Sequence, residues 1–416
     1  MTGSDIFTLG LGIEPPWRIV DQHLDTGKKP HELRIELASE RGGKFPCPEC
    51  GELCQAHDFS EHTWRHLNFF QHHCYITARL PRVDCPKHGV RQINAPWARE
   101  GSRFTLLFEQ AAMLLVREMP VLAAARIIGV TDKRLWRVVR HYVTKAMSRL
   151  DLSQVKAVAL DETASKRGHN YVTVFIDLDK KQKPVLFVTP GRGKACLDLF
   201  KKHLKQHGGR PENIAEMVCD MSPAFLVAIG ESFPQAKVTV DWFHVVQLFS
   251  RAVDDVRRAE AKEKKMPKAS RWAVLKAADG GRLTAKQQIA LRELETGGFA
   301  TATAWRIKEL LRWVRKAATP RAAKWRITHF CRHALKCIAP DTKALAPVLK
   351  SLLTLEEHTE RILQRWNSNY SNARLEGLNG IFQAARARAR GYRNTFTFIT
   401  MIYLLAAPIG LLLKST

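Results

Sequence analysis

Between Val155 and Asp241 the chain uses one device three times, a short apolar run that stops at an aspartate. Val155-Lys156-Ala157-Val158-Ala159-Leu160 leads to Asp161, Met217-Val218-Cys219 to Asp220, and Lys237-Val238-Thr239-Val240 to Asp241. Apolar runs of this length, rich in β-branched residues, read as strands buried on both faces. Tyr171–Asp177 and Val185–Thr189 add two more strand-like segments. Helical patterns at Lys194–His207 and Pro223–Ile229 complete the order β-β-β-α-β-α-β. Three antiparallel-type strands followed by right-handed crossovers predict a mixed sheet with helices on its faces.

That order is ribonuclease-H-like. In it the first and fourth strands are parallel neighbours, so Asp161 and Asp220 should emerge together at one edge of the sheet. Two carboxylates there suit phosphodiester chemistry, which needs two hard cations roughly 3.5–4 Å apart. Mg²⁺ keeps several waters and takes only a few protein oxygens, so three acids suffice. Glu376 is the candidate third, on a helix through Asn372–Asn379, with Asn379 and Gln383 on a neighbouring face. Glu162 follows Asp161, but pleat alternation points it to the other side. Asp241-Trp242-Phe243-His244 ends the last strand and starts a helix. Asp241 therefore competes for a place among the ligands, and His244 either contacts a phosphate or caps the fold.

The residues before this core read as DNA-seeking modules. Trp17–Val20 and Leu33–Leu37 flank a turn at Asp25-Thr26-Gly27 and predict a hairpin with Leu33, Ile35 and Leu37 inside. Cys47-Pro48-Glu49-Cys50-Gly51 and Cys85-Pro86-Lys87-His88-Gly89 are two-ligand knuckles, each followed by a glycine that permits the tight turn around a metal. Cys47, Cys50, Cys85 and His88 give four ligands for a structural Zn²⁺, with Cys54 and Cys74 as substitutes. Cys74–Leu80 between them alternates as a strand. His57, His62, His66, His72 and His73 lack ligand spacing and read as surface or phosphate-facing. An apolar helix over Phe104–Val116 precedes Pro120 and the stretch Val121–Thr131. There Gly129 makes a turn, small Ala125 lets helices approach, and Thr131 caps the next helix. Leu135 and Val138 fall inward and leave Lys133, Arg134, Arg137 and Arg140 outside, as in a helix-turn-helix that enters a major groove.

After Asp241 about 120 residues read as helical, punctuated by Gly280-Gly281 and Gly297-Gly298. Lys262, Lys264, Lys265, Lys268 and Arg271 make this block basic, and Trp272, Trp305, Trp313 and Trp325 read as core rather than as nucleobase stackers. Arg386, Arg388, Arg390 and Arg393 cluster behind the Glu376 helix, as phosphate contacts or as a solvated helix end. The whole chain carries 66 Lys and Arg against 40 acidic residues, a net charge of +26, which suits a polyanionic partner. Nine scattered cysteines fit a reducing compartment and a metal site better than a disulfide framework. Met1-Thr2-Gly3-Ser4-Asp5 does not read as a signal peptide. The uncharged stretch Phe396–Leu413 contains two threonines, Pro408 and Gly410, and reads as a buried terminal helix rather than a membrane span.

As an ordered set, these pieces resemble the cut-and-paste DDE transposases of bacterial insertion sequences, specifically the ISL3 group. The resemblance rests on the first cysteine knuckle, the helix-turn-helix, Leu160-Asp161-Glu162, Cys219-Asp220-Met221-Ser222, Asp241-Trp242-Phe243-His244, and Glu376-Gly377-Leu378-Asn379 leading into Gly391-Tyr392-Arg393-Asn394. It implies that Asp161, Asp220 and Glu376 are catalytic ligands of two Mg²⁺ (or Mn²⁺) ions, and that the helical block interrupts the nuclease fold. Asp241 with His244 resembles the Asp-x-x-His signature of Mutator-like relatives. His88 stands where the group more often has cysteine.

The expected fold is multidomain α/β. It comprises a β-rich zinc-finger domain (1–98), a helix-turn-helix domain (99–150), a ribonuclease-H-like core (151–244), an all-helical insertion (245–365) and the remainder of the core (366–416). The expected function is a bacterial, cytoplasmic and nucleoid-associated transposase without a membrane partner. It would bind terminal inverted repeats and target DNA as a homodimer or larger assembly, then cleave and join strands. The alternatives are a DNA-binding regulator with an inactive core and a structure-selective nuclease that does not join.

Overall fold

Strand alternation builds the first half of the chain. In the computed structural model, which describes residues 3–40, 42–181, 184–276 and 283–407, strand β1 (Trp17–Asp25) pairs antiparallel with β2 (Glu32–Ser39), following a short helix α1 (Gly3–Leu11). Leu33, Ile35 and Leu37 of β2 are buried as their alternation requires. The sheet continues through β3 (Lys44–Pro46), β4 (Leu53–Phe69), β5 (His72–Cys85) and β6 (Gly89–Gln92), in the order β1-β2-β5-β4-β3 with β6 on β5. The histidine-bearing stretch before Phe69 is thus a long strand, because β4 pairs with β5 along nearly its whole length. His66 departs from the surface expectation. It is buried, its Nδ1 lies 2.8 Å from Thr105 Oγ1, and burial pushes its pKa down to about 4.

Thr105 joins this sheet to three helices, α2 (Leu106–Glu118), α3 (Val121–Ile128) and α4 (Asp132–Ser148), because its hydroxyl also caps α2 by accepting from the Phe108 N–H. Gly129 ends α3 in the left-handed conformation, where a Cβ would meet the His73 ring at 2.7 Å. The Thr131 carbonyl accepts from the Arg134 and Leu135 N–H groups at the start of α4. Leu135 and Val138 are buried, while Lys133, Arg134, Arg137 and Arg140 are exposed. Glu109, fully buried on α2, holds the bundle together: it accepts from Arg99 Nε, Ser102 Oγ at 2.8 Å and Tyr142 Oη at 2.9 Å.

A second sheet has the order β11-β10-β7-β8-β9. Its strands are β7 (Ala157–Lys166), β8 (Asn170–Asp177), β9 (Val185–Pro190), β10 (Glu216–Cys219) and β11 (Lys237–Val240), with α5 (Lys194–Gln206) and α6 (Pro223–Ser232) as crossovers. β7 begins later than the sequence suggested and runs past Asp161 to Lys166, because its antiparallel ladder with β8 continues that far. Its parallel ladder with β10 stops at Ala159↔Val218. Asp161 therefore sits within a strand, just beyond the end of the parallel ladder, rather than at a strand terminus.

Among the described residues seven α-helices follow β11 before the chain returns to the sheet: α7 (Trp242–Glu263), α8 (Ser270–Leu275), α9 (Ala285–Thr296), α10 (Ala300–Arg315), α11 (Pro320–Ile338), α12 (Ala346–Glu357) and α13 (Thr359–Ser368). Val245, Phe249, Ile307, Leu311, Ile327 and Phe330 belong to their shared core. Gly280-Gly281 lies outside the described residues. Trp272, Trp313 and Trp325 depart from the core expectation: they are 54%, 37% and 55% exposed. Their helices bury other positions, so the indoles fall on the outer faces.

α14 (Ala373–Arg388) and α15 (Thr395–Ala406) then return to the second sheet, and Leu375, Leu378, Phe382, Phe398 and Ile402 pack on the face that carries Val172 and Val174. The opposite face is covered by α5 and α6. Of the uncharged stretch near the C-terminus, residues 408–413 lie outside the described residues, and no described helix is long and apolar enough to cross a membrane. Contacts divide the chain into one unit containing Met1–Met147 with Ala385–Arg390, and another containing Ser148–Ala384 with Gly391–Ala407.

Replacing Glu109 with Ala should strand the buried Tyr142 hydroxyl and the Arg99 guanidinium and cost about 3 kcal/mol. Chemical denaturation checks this, and an unchanged midpoint would contradict the role given to Glu109.

Candidate active site and zinc cluster

The two knuckles converge. Cys47 Sγ lies 3.8 Å from His88 Nδ1, Cys85 Sγ lies 3.6 Å from the same nitrogen, and Cys50 Sγ lies 3.7 Å from Cys85 Sγ. Tetrahedral zinc with ordinary bond lengths would set thiolate–thiolate edges at about 3.8 Å and thiolate–imidazole edges at about 3.6 Å. The residues fit the ion. Antiparallel pairing of β3 with β4 and of β5 with β6 presents the knuckles, and Gly51 and Gly89 follow them at positive φ. The N–H groups of Cys50 and Glu49 hold the Cys47 thiol below its ordinary pKa, which favours the ligating thiolate. Glu49 lies 3.7 Å from His88 Nε2 and braces the ring from behind. Cys54 and Cys74 stand outside the set: Cys54 donates to the Glu52 carbonyl at 3.3 Å, and burial pushes both thiols up to about 11.

The acid cluster forms where the parallel ladder of β7 and β10 ends. Asp161 is mostly enclosed, and burial pushes its pKa up to about 7, with the Asp220 and Glu376 carboxylates pushing the same way. Its Oδ1 accepts the Glu162 N–H at 2.8 Å and its Oδ2 accepts Asn379 Nδ2 at 2.9 Å. Asp220, one residue past β10, accepts the Ser222 N–H at 2.9 Å. Burial, then the Asp241 charge, raises Glu376. Glu162 is half-buried and raised by burial, while Arg192 opposes that shift.

Three groups on α14 face β7. Glu376 contributes the third carboxylate, Asn379 donates to Asp161, and Gln383 donates to Thr163 Oγ1 at 2.7 Å and to the Ala164 carbonyl at 2.9 Å. Positions i, i+3 and i+7 share one helix face, so Asn379 and Gln383 lie on the same face as Glu376 rather than on a neighbouring one. Glu376 Oε1, Asn379 Oδ1, Asn372 Oδ1 and His244 Nε2 are buried without hydrogen-bond partners. Buried acceptors beside carboxylates of raised pKa are a donor set that lacks positive charge, and hard divalent cations fit it. Among the described residues, the Cys47, Cys50, Cys85 and His88 set alone has its ligand atoms within 4.8 Å of one another.

Asp241 lies beside this cluster with both oxygens engaged. Oδ1 caps α7 by accepting the Phe243 N–H at 2.8 Å, and Oδ2 accepts the Asn372 N–H at 2.5 Å. Asn372 in turn starts α14, its carbonyl accepting the Glu376 N–H at 2.9 Å. Burial lowers the pKa of His244 against the opposing pull of Asp220 and Asp241. Glu216 passed unnoticed in the sequence. Buried on β10, it accepts from Thr239 and Ser368 hydroxyls and from Gln364 Nε2, and so ties the sheet to α13. Of the candidate DNA contacts, Arg134 lies over the Phe104 ring at 4.5 Å and Arg140 over Trp136 at 5.9 Å. Arg388 donates to the Glu118 carbonyl at 2.7 Å, Arg386 is half-buried, and Arg390 and Arg393 are exposed.

Residues 158–402 match a family model described as transposase, residues 93–143 one described as the helix-turn-helix domain of transposase family ISL3, and residues 44–88 one described as the zinc-finger of transposase IS204/IS1001/IS1096/IS1165. The transposase for insertion sequence element IS1001 of Bordetella parapertussis is 26% identical over 366 residues, 86% of this chain and 87% of that protein. The transposase for insertion sequence element IS1557 of Mycobacterium tuberculosis is 28% identical over 215 residues, 51% of this chain and 48% of that protein.

Metal analysis of freshly purified protein should find about one zinc per chain. His88→Cys should retain it and His88→Ala should lose it; zinc retained in the alanine variant would remove His88 from the set. The acid cluster makes a separate prediction. The Asp161 pKa, raised to about 7 in the folded chain, means that the unfolded chain gives up this proton first. Stability of the cation-free protein should therefore fall as pH rises from about 4 to about 7. Millimolar Mn²⁺ should raise Tm more at about pH 8 than at about pH 5.5, and Asp161→Asn should abolish that difference. An equal Mn²⁺ effect at both pH values would contradict the cluster's electrostatics.

Proposed function

From membership of transposase family ISL3, to which this chain belongs, we propose a DNA transposase that cleaves at the ends of its element and joins them to target DNA through Asp161, Asp220 and Glu376. The observation that carries this assignment is the meeting of two adjacent parallel strands with α14, which puts the Asp220 and Glu376 charges close enough to raise Asp161 and leaves a set of unpartnered buried oxygens beside it. The order β11-β10-β7-β8-β9, with helices on both faces, supports a ribonuclease-H-like core. The helices between β11 and α14 are then an insertion into that core.

Mg²⁺ or Mn²⁺ held by these three carboxylates would supply nucleophile activation and charge neutralisation at the leaving oxygen. Asn379 fixes the Asp161 carboxylate by hydrogen bonding, and Gln383 locks α14 to β7. Asp241 acts as a positioning residue, since both of its oxygens are taken by backbone N–H groups. His244, kept neutral by burial, leaves Nε2 available to a phosphate oxygen or a water. In the reaction a water oxygen displaces the 3′ oxygen of a strand at the element end. The freed 3′-hydroxyl then displaces a 3′ oxygen in the target, so the number of phosphodiester bonds is conserved in the joining step.

The zinc module and the exposed Lys133, Arg134, Arg137 and Arg140 would bind the terminal inverted repeats, with base readout from α4 in a major groove. Arg386, Arg388, Arg390 and Arg393 would contribute phosphate contacts. Bringing two ends together calls for at least a dimer on DNA. The site of action would be the bacterial cytoplasm, where the chromosome lies.

Labelled element ends incubated with the protein and Mn²⁺ test the reading. Cleaved and strand-transferred products are expected from the wild type. Asp161→Asn or Glu376→Gln should lower product formation at least about 10³-fold while leaving end binding within about twofold. Cleavage without joining would favour a nuclease, binding without chemistry would favour a regulator, and full activity in either variant would overturn the site.

A further inference from the structure

The helical block carries an aromatic patch that the acid cluster does not use. Trp313 near the end of α10 and Trp325 early in α11 meet edge to face, with ring centroids 5.7 Å apart. The His329 ring lies 4.0 Å from Trp325. Arg326 sits over Trp313 at 5.3 Å and donates to its carbonyl at 2.7 Å, which pins the guanidinium beside the indole. Both helices bury other positions, Leu311 and Val314 on α10 and Ile327 and Phe330 on α11. The two indoles are therefore not needed to fill the core, and Trp325 is 55% exposed.

Charge selects what could cover them. From Leu310 to Pro340 the chain holds eight Lys and Arg and no Asp or Glu, and Arg315, Lys316, Arg321, His329 and Arg332 are exposed. A second copy docking the same face would bring like charges together. A nucleic acid strand supplies both complements, phosphates for the cations and a flat π-face for each indole, and exposed aromatics set among cations are how unpaired bases are held.

We infer that Trp313 and Trp325, flanked by Arg326 and His329, form a stacking site for an unpaired base of a DNA strand. Duplex bases are stacked inside and offer no free face, so the site distinguishes single-stranded from paired DNA. The inference builds on DNA as the substrate of this chain, but it does not depend on the assignment of the acids.

The full chain is titrated with a fluorescent oligothymidylate of about 20 nucleotides and with a duplex of similar length, at matched salt. Trp325→Ala and Trp313→Ala should each weaken oligothymidylate binding about tenfold and leave duplex affinity unchanged, whereas Trp325→Phe should keep most of the single-strand affinity. Melting curves should show the variants folded, because the replaced side chains are exposed. Equal losses on both DNAs, or none on the single strand, would overturn the inference. So would a tryptophan variant whose main effect is on the sedimentation of the DNA-free protein, which would assign the patch to self-association. Duplex binding by the wild type tests the transposase reading on its own, so the two failures are distinguishable.

Discussion

Asp241 holds the catalytic half of the molecule in register. Asp241 is 5% exposed, and its carboxylate accepts two backbone N–H groups, one two residues on that opens α7 and one 131 residues on that opens α14. Charge-assisted hydrogen bonds of this kind contribute about 1.5–3 kcal/mol each. The chain leaves the sheet at Asp241, travels through the helical block, and returns to the same carboxylate. A long excursion is thermodynamically tolerable when its ends meet, because closure entropy grows only with the logarithm of loop length. Glu376 begins four residues beyond that closure, so its place beside Asp161 is inherited from the bracket.

The knuckle cluster and the acid cluster solve different problems. The four knuckle side chains stand at the spacing that the corners of a zinc tetrahedron require, set by short hairpins whose glycines adopt left-handed backbone, and that geometry suits a closed structural site. The acids are left electrostatically unfinished. Burial and mutual repulsion raise Asp161, and several acceptors around it have no partner. Such an arrangement costs stability in the cation-free chain and gives it back when cations bind, which concentrates affinity for positive charge where phosphodiester chemistry would take place.

Much of this was legible because strands write their pattern locally. The apolar runs before Asp161, Asp220 and Asp241 gave away the sheet, and cysteine spacing gave away the zinc cluster, including His88. What stayed hidden depends on tertiary contact. The extent of β7 beyond Asp161 is set by β8, not by its own residues. Nothing near Asp241 in sequence announces Asn372, and Glu216 and Glu109 look like ordinary surface acids until their hydrogen bonds are drawn. His66 was misplaced on the surface because its partner, the Thr105 hydroxyl, lies 39 residues away. Trp313 and Trp325 were misplaced in the core, since hydrophobic size predicts burial and only packing reveals which helix face a side chain occupies.

The central claim is that Asp161, Asp220 and Glu376 hold the cations while Asp241 holds the scaffold. Anomalous scattering from crystals of the protein grown with Mn²⁺ tests this most directly. The account predicts manganese density bounded by the Asp161, Asp220 and Glu376 carboxylates, with Asp241 still bonded to the Phe243 and Asn372 N–H groups. Manganese ligated by Asp241, or density that leaves Glu376 out, would contradict it.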